Sequence, residues 1–191
     1  MQSYLTSLQS HLGFFPKYSL NLNCRAYQRN IDVFKIEGGT MTISVLLADD
    51  HDVVREGAQR ILEADEMKVI GHAIDVNSAW ALYQQLKPDV LVMDMSMPGS
   101  AGVDGVVHIM QRDKKAKIVI FSIHENPLLV ERVLATGALG YVTKGSELSE
   151  LITAVKSVHK GQSYVSTDLA QSLIHTRIAG PTNPVSVLSE R

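Results

Sequence analysis

Five short apolar runs alternate with five segments of helical pattern, and this alternation restricts the fold more than any other feature of the chain. The apolar runs lie at 43–48, 67–74, 90–93, 117–122 and 139–143. The segments between them place apolar residues on one helical face, as Ala58 and Leu62 illustrate. Strands alternating with helices indicate an α/β fold, because a parallel connection needs a crossover. We therefore predict a doubly wound parallel sheet with helices on both faces.

Polar residues at the helix ends support these boundaries. We expect Asp52 to cap the first helix. Asn126 is expected to cap the fourth helix, with Pro127 as its first residue and Gly137 at its end. Ser146 is expected to cap the fifth helix.

Each of four strands is followed by, or ends on, a side chain that can take part in chemistry. Asp49 and Asp50 follow the first strand, Asp94 follows the third, Ser122 ends the fourth and Lys144 follows the fifth. The functional crevice of such a sheet lies outside the carboxyl ends of its strands. We therefore expect three carboxylates, one hydroxyl and one ammonium group to meet there.

The chemistry of this set points to phosphoryl transfer. Neighbouring carboxylates raise each other's pKa unless a cation lies among them, and carboxylate oxygens suit Mg²⁺. A lysine adds a positive charge for an anion, and a hydroxyl adds a donor. We predict a phosphoryl-accepting site in which Asp94 is the nucleophile. The second strand offers only Asp75, which comes slightly later in the chain.

Four motifs, "LLADDHDVVREG", "VLVMDMSMPGSAG", "FSIHEN" and "GYVTKG", resemble the receiver domain of two-component response regulators, specifically the NarL/FixJ type. The resemblance covers about residues 43–160. It implies a flavodoxin-like five-stranded sheet in the order 2-1-3-4-5 and a receiver domain over residues 41–162.

The same resemblance implies a role for each residue of the site. Asp94 would accept a phosphoryl group from a sensor histidine kinase. Asp50, Asp94 and the backbone carbonyl of Ser96 would bind Mg²⁺, while Asp49 would hold a metal-bound water. An aspartyl-phosphate phosphatase is a weaker alternative, because such enzymes often have a second aspartate where this chain has Ser96.

A switch is implied beside the phosphoryl site. Lys144 would contact the phosphoryl group, and Ser122 would turn inward to bind it, letting Tyr141 move between outward and inward rotamers. His51 and His124 lie near the site in sequence, and we expect both to be exposed loop residues rather than metal ligands.

Composition limits the partners of the chain. Its net charge is −2, and residues 1–40 hold four of the basic and two of the acidic residues, so no basic footprint for nucleic acid is present. The single cysteine, Cys24, fits a reducing cytoplasm, and no apolar run reaches the length of a membrane span. Apolar residues on exposed helices could pair two copies as a homodimer.

The two ends of the chain differ from its middle. Residues 1–40 show no sustained period, which indicates either a weakly ordered extension or an over-long gene start with Met41 as the true first residue. Residues 163–191 contain a predicted linker helix and end in "LSER", which resembles the opening of a LuxR-type helix-turn-helix domain. DNA would then be bound only through an output domain absent from this chain.

Two interpretations of the function follow. In the first, phosphorylation switches the Ser122/Tyr141 face and controls transcription through the missing output domain. In the second, the chain is a stand-alone receiver that acts through protein contacts or as a phosphate sink. In both, we expect no enzyme activity beyond slow self-phosphorylation from small donors and autodephosphorylation.

Overall fold

The computed structural model describes residues 42–98 and 102–179, with side chains to residue 176. The predictions for residues 1–40, for Met41 as a start and for the terminal "LSER" lie outside the described residues. Among the described helices, none combines the length and the apolar character needed to cross a bilayer.

Strands and helices alternate throughout the described residues. In chain order they are β1 (Ser44–Ala48), α1 (Asp52–Ala64), β2 (Lys68–Ala73), α2 (Val76–Leu86), β3 (Val90–Met93), α3 (Asp104–Arg112), β4 (Ile118–Ser122), α4 (Pro127–Ala135), β5 (Gly140–Thr143), α5 (Leu148–His159), β6 (Tyr164–Val165) and α6 (Thr167–Ala179). The strands form one parallel sheet in the order β2-β1-β3-β4-β5-β6. The predicted doubly wound sheet and its 2-1-3-4-5 order are confirmed, and a sixth strand is added at the edge.

Both faces of the sheet are buried, which explains why the strands are apolar without alternation. One core contains Leu46, Leu91 and Ile120 and packs against α2, α3 and α4. The other contains Leu47 and Val92 and packs against α1 and α5. Each large aliphatic side chain buried in this way contributes roughly 1.5–3 kcal/mol to folding. The helices therefore hold the strand ends in fixed positions.

Some predicted helix boundaries are confirmed. The Asn126 side chain accepts hydrogen bonds from the amides of Leu128 and Leu129, and Pro127 begins α4. Gly137, with φ of 106°, follows the C-cap of that helix. A positive φ is inexpensive only for glycine, which accounts for this residue at the turn.

Two predicted caps are wrong. His51 occupies the N-cap position of α1, and Asp52 is the first helical residue, where it pairs with Arg55. Glu147 occupies the N-cap position of α5 without a capping hydrogen bond from its side chain. The Ser146 hydroxyl lies 2.7 Å from the Thr143 hydroxyl instead. In both places the expected capping side chain binds another side chain instead of a helix amide: Asp52 binds Arg55, and Ser146 lies against Thr143.

The segment after α5 packs on the sheet. The amide of Tyr164 donates to the carbonyl of Leu139 at 2.9 Å, and the amide of Ser166 donates to that of Tyr141 at 2.9 Å. Leu169 of α6 is 2% exposed and belongs to the core on the side of α4. A strand of two residues has too little sequence pattern to be predicted, so β6 was not expected.

Candidate phosphoryl-acceptor site

The site lies where the strand order reverses around β1. Asp49 follows β1, and its amide donates to the carbonyl of Ala73 in β2 at 3.0 Å. Asp94 follows β3, and its amide donates to the carbonyl of Ala48 in β1 at 2.8 Å. The strand pairing therefore continues to these two aspartates and fixes their backbones side by side.

One ammonium group joins the two aspartates. The Nζ of Lys144 lies 2.8 Å from Asp49 Oδ2 and 2.9 Å from Asp94 Oδ2. The amide of Lys144 donates to the carbonyl of Ser122 at 2.8 Å, so the β4–β5 pairing positions this residue in turn. Asp49 is 5% exposed and Asp94 is 2% exposed. The ammonium group thus offsets the cost of holding two carboxylates out of water.

The protonation of Lys144 is set by two opposing effects. Burial by itself lowers the pKa of Lys144, but the hydrogen bonds and charges of Asp49 and Asp94 outweigh it and raise that pKa. Lys144 therefore stays charged at neutral pH. The other Asp94 oxygen, Oδ1, accepts a hydrogen bond from the amide of Met95 at 2.7 Å.

The acidic cluster extends outward from the lysine. Possible ligand atoms of Asp49, Asp50, His51 and Asp94 all lie within 4.8 Å of one another. Asp50 is exposed, and the Nδ1 of His51 lies 3.0 Å from Asp50 Oδ1 and 3.3 Å from Asp49 Oδ1. Carboxylate oxygens that converge at a solvent-accessible mouth suit Mg²⁺, which keeps several of its waters. The donor set therefore fits the metal that was predicted.

Ser122 and Tyr141 form a second group around His124. The Tyr141 hydroxyl donates to the carbonyl of His124 at 2.8 Å, and the amide of His124 lies 3.4 Å from the Ser122 hydroxyl. Tyr141 is fully buried, so it has the inward position, and burial raises its pKa to about 12. The Ser96 hydroxyl lies 3.3 Å from His124 Nε2. The backbone and ring of His124 thus connect three predicted site residues.

Sequence reasoning missed Arg55 as a residue of the site, and it missed the capping role of Asp75. Arg55 donates from Nη1 to the carbonyl of Asp49 at 2.6 Å and also pairs with Asp52. The spacing of Asp52 and Arg55, three residues apart in the first helical turn, could have indicated the pairing of these two side chains, but no spacing indicates the contact with Asp49. Asp75, by contrast, accepts a hydrogen bond from the amide of Ser78 at 2.8 Å as the N-cap of α2. It therefore serves the helix.

Two aspartates at strand ends share one lysine at the switch point of a doubly wound sheet. This arrangement defines a class of α/β domain with an acidic acceptor site. The model of the response regulator receiver domain family matches residues 45–156. The chain therefore belongs to the response regulator receiver family, and this membership supports a phosphoacceptor role.

Individual relatives agree with this family. The response regulator UvrY of Escherichia coli K12 is 39% identical over 153 residues, which cover 78% of this chain and 70% of UvrY. The response regulator GacA of Pseudomonas viridiflava is 37% identical over 152 residues, which cover 78% of this chain and 71% of GacA. The resemblance seen in the sequence is confirmed.

Solved structures show the same fold. A LuxR-family two-component response regulator from Aurantimonas sp. SI85-9A1 has a TM-score of 0.69 and 37% identity, covering 72% of this chain and 99% of that one. The structure of the RcsB–DNA complex has a TM-score of 0.66 and 25% identity, covering 71% of this chain and 69% of that one.

Proposed function

We propose that Asp94 is the residue that receives the phosphoryl group, and that a sensor histidine kinase is its donor. The supporting observation is the position of Lys144, whose Nζ lies 2.8 and 2.9 Å from the two buried carboxylates, Asp49 and Asp94, at the switch point. A carboxylate oxygen of Asp94 forms the new O–P bond while the P–N bond of the phosphohistidine breaks. The histidine leaves with the electron pair of that bond.

Asp50, Asp94 and the backbone carbonyl of Ser96 would hold Mg²⁺, with Asp49 beside a metal-bound water. When bound, Mg²⁺ supplies positive charge that neutralises the phosphoryl oxygens. Lys144 contributes the second positive charge, because its ammonium group already lies 2.9 Å from Asp94 Oδ2 and can transfer a hydrogen bond to the new group. The chemistry of the domain is limited to accepting the phosphoryl group and losing it slowly to water.

The switch is driven by charge. Phosphorylation adds about −1.5 to −2 units of charge and new acceptor oxygens at Asp94. The Ser122 hydroxyl turns toward these oxygens and leaves the amide of His124. The carbonyl of His124 holds the Tyr141 hydroxyl, so this loop and the ring of Tyr141 rearrange together. The face formed by α4, β5 and Tyr141 thereby changes shape for a partner.

We propose that this face controls transcription through a DNA-binding output domain outside these 191 residues. The support is similarity: RcsB, 25% identical to this chain, has been solved in complex with DNA, and the match covers 69% of that chain. RcsB has also been solved as two dimers bound to two parallel DNAs, and that chain is 26% identical to this one. We therefore include the pairing of two copies in the proposal.

The acceptor assignment is tested by intact-mass measurement of the full chain after incubation with acetyl phosphate and Mg²⁺. We expect one added phosphoryl group, which is absent in Asp94→Asn and after chelation of the metal. Asp75→Asn is the matched control, because Asp75 also follows a strand but caps α2, and asparagine caps equally well. It should be modified like the unsubstituted chain. A phosphoryl group that persists in Asp94→Asn would refute the assignment.

A further inference from the structure

A groove of about 490 Å³ lies between α4 and α6 and shares no residue with the acceptor site. Both helices and the edge strand contribute apolar side chains to it. These apolar residues are Leu134 and Ala135 of α4, Val165 of β6, and Ala170, Leu173 and Ile174 of α6. A continuous apolar surface of this kind is typical of an interaction site.

Helix α6 is apolar on more sides than its packing on the core requires. Leu169 is 2% exposed and belongs to the core, and Leu173, four residues later on the same side, packs against it. Ile174 also lines the groove, and it is 58% exposed. A helix that only covered the core would carry a polar residue at such a position. The additional apolar surface of α6 therefore lies in the groove.

The lining of the groove distinguishes between classes of occupant. Among the described residues that line it, Glu131 alone is charged, whereas pockets for small ligands contain several polar groups that converge on the ligand. A second copy of the chain would have to present the same groove, because a two-fold interface is self-complementary. Two concave surfaces that face each other leave both unfilled. The shape and the chemistry therefore fit a narrow apolar segment of polypeptide.

The sequence that follows α6 contains such a segment. Gly180 and Pro181 are residues that end helices, because glycine accepts a positive φ and proline lacks the amide of a helical residue. Val185 and Val187 come shortly afterwards and are two positions apart. An extended chain would present both valines on one side and Ser186 on the other.

The length of this segment is sufficient to return to the groove. An extended chain covers about 3.3 Å per residue, so residues 180–184 span up to about 16 Å. At a rise of about 1.5 Å per residue, Ile174 lies about 7.5 Å and Ala170 about 13.5 Å before the last residue of α6. The two valines can therefore lie beside Ile174 and Ala170 without any change in α6.

We propose that residues 184–188, "PVSVL", bind in the groove between α4 and α6, with the two valines against Leu173 and Ile174. This contact fixes the direction in which the chain continues past α6. The inference does not depend on the phosphoryl-acceptor assignment, since the groove and the acceptor site have no residue in common.

The test is disulfide cross-linking in the full chain, with Cys24→Ser as the background so that no native thiol competes. One variant adds Ile174→Cys and Val187→Cys, and the matched control adds His175→Cys and Val187→Cys. Both α6 positions are exposed, and His175 is closer to the segment along the chain, so proximity in sequence alone favours the control. We expect the Ile174 pair to form its intrachain disulfide roughly tenfold faster under mild oxidation, because binding in the groove raises the effective concentration of the second thiol.

A second comparison tests which side of the segment faces the groove. Val185→Asp, added to the Ile174 pair, should slow the cross-link by about the same factor, because it places a charge in an apolar groove. Ser186→Asp should leave the rate nearly unchanged, because this side chain faces away from the groove in the proposed arrangement.

Equal cross-linking rates for the Ile174 and His175 pairs would overturn the inference. A disulfide that joins two chains, which intact mass distinguishes from an intrachain one, would also overturn it and assign the groove to a second copy. Equal effects of Val185→Asp and Ser186→Asp would contradict the placement of the valines in the groove. A melting curve of each reduced cysteine pair confirms that the chain is folded before oxidation.

Discussion

The two ends of β3 carry the same residue type in opposite settings. Asp89 precedes the strand, and its Oδ2 accepts hydrogen bonds from the amide of Ser44 at 2.9 Å and from the Ser44 hydroxyl at 2.6 Å. The amide of Asp89 donates back to that hydroxyl at 3.0 Å. Asp94 follows the strand and shares the ammonium group of Lys144 with Asp49. Ser44 gives the first carboxylate two neutral hydrogen-bond donors, whereas Asp94 has to share one ammonium group with Asp49.

This difference separates a structural aspartate from a reactive one better than burial does. Ser44 and Asp89 bind each other through three hydrogen bonds, two of them to the carboxylate. At the other end, two buried carboxylates share one cation, and Asp50 adds a third negative charge nearby. Such a cluster has negative charge in excess, so it attracts cations and stabilises them when they bind. The end of the sheet with unbalanced charge is the end where we place the chemistry.

The largest expected effect comes from removing the shared cation. Lys144→Met leaves the buried carboxylates of Asp49 and Asp94 without their shared cation, and breaking a buried ion pair in this way costs about 3–5 kcal/mol. Urea unfolding measures the free energy of unfolding directly. Added Mg²⁺ should restore part of the loss, because it replaces the missing positive charge.

The control for this variant is Lys117→Met at the opposite end of the sheet. The Nζ of Lys117 donates to the carbonyl of His159, so its loss removes a hydrogen bond to a neutral group, worth about 1 kcal/mol. Mg²⁺ should not restore that loss. If Lys144→Met costs no more than Lys117→Met, the contrast between the two ends of the sheet is wrong.

An intermediate effect is expected at Asp89. In Asp89→Ala the amide and hydroxyl of Ser44 lose their acceptor, which costs about 1–3 kcal/mol. In Asp89→Asn an oxygen remains for them, so the loss should stay below about 1 kcal/mol. Urea unfolding of both variants gives the comparison. Equal losses in the two would mean that the negative charge of Asp89, and not the oxygen that Ser44 binds, determines the stability.

The sequence predicted the parts of the site that depend on topology. Parallel strands bring their carboxyl ends to one edge, so the positions of Asp49, Asp94 and Lys144 followed from the strand assignments alone. The local chemistry of the first turn of α1 did not follow. His51 at the N-cap and the contact of Arg55 with the carbonyl of Asp49 depend on how that helix leaves the sheet. Sequence spacing carries no information on this angle.

The same limit applies at the edge of the sheet. The two-residue strand β6 is set by tertiary hydrogen bonds to Leu139 and Tyr141, and no local pattern in the sequence encodes it. Ser146 was expected to cap α5 because serine often does, but the hydroxyl of Thr143 lies close enough to bind it. Competition between partners that are near only in the folded chain decides both cases.

The smallest expected effect concerns Glu150, which lies near the protein surface and, like Asp89, accepts hydrogen bonds from the amide and the hydroxyl of one residue. It accepts hydrogen bonds from the amide of Thr167 at 3.0 Å and from the Thr167 hydroxyl at 2.7 Å, at the start of α6. Partial burial raises the pKa of Glu150, but these hydrogen bonds and one from Ser146 outweigh it and lower the pKa from its ordinary value of 4.5. The ionised form is therefore favoured in the folded chain.

The sign of the pH dependence follows from this shift. Because the folded pKa lies below the unfolded value, the contribution of Glu150 is complete above pH 4.5 and is lost as pH falls through the folded pKa. Glu150→Gln should lower the free energy of unfolding by about 0.3–1 kcal/mol at neutral pH, the usual range for a charge at a helix N-terminus. Urea unfolding at several pH values should show the gap between the two chains closing as the pH falls below the ordinary carboxyl range. A gap that stays constant would mean that the Thr167 contact depends on the shape of the side chain and not on its charge.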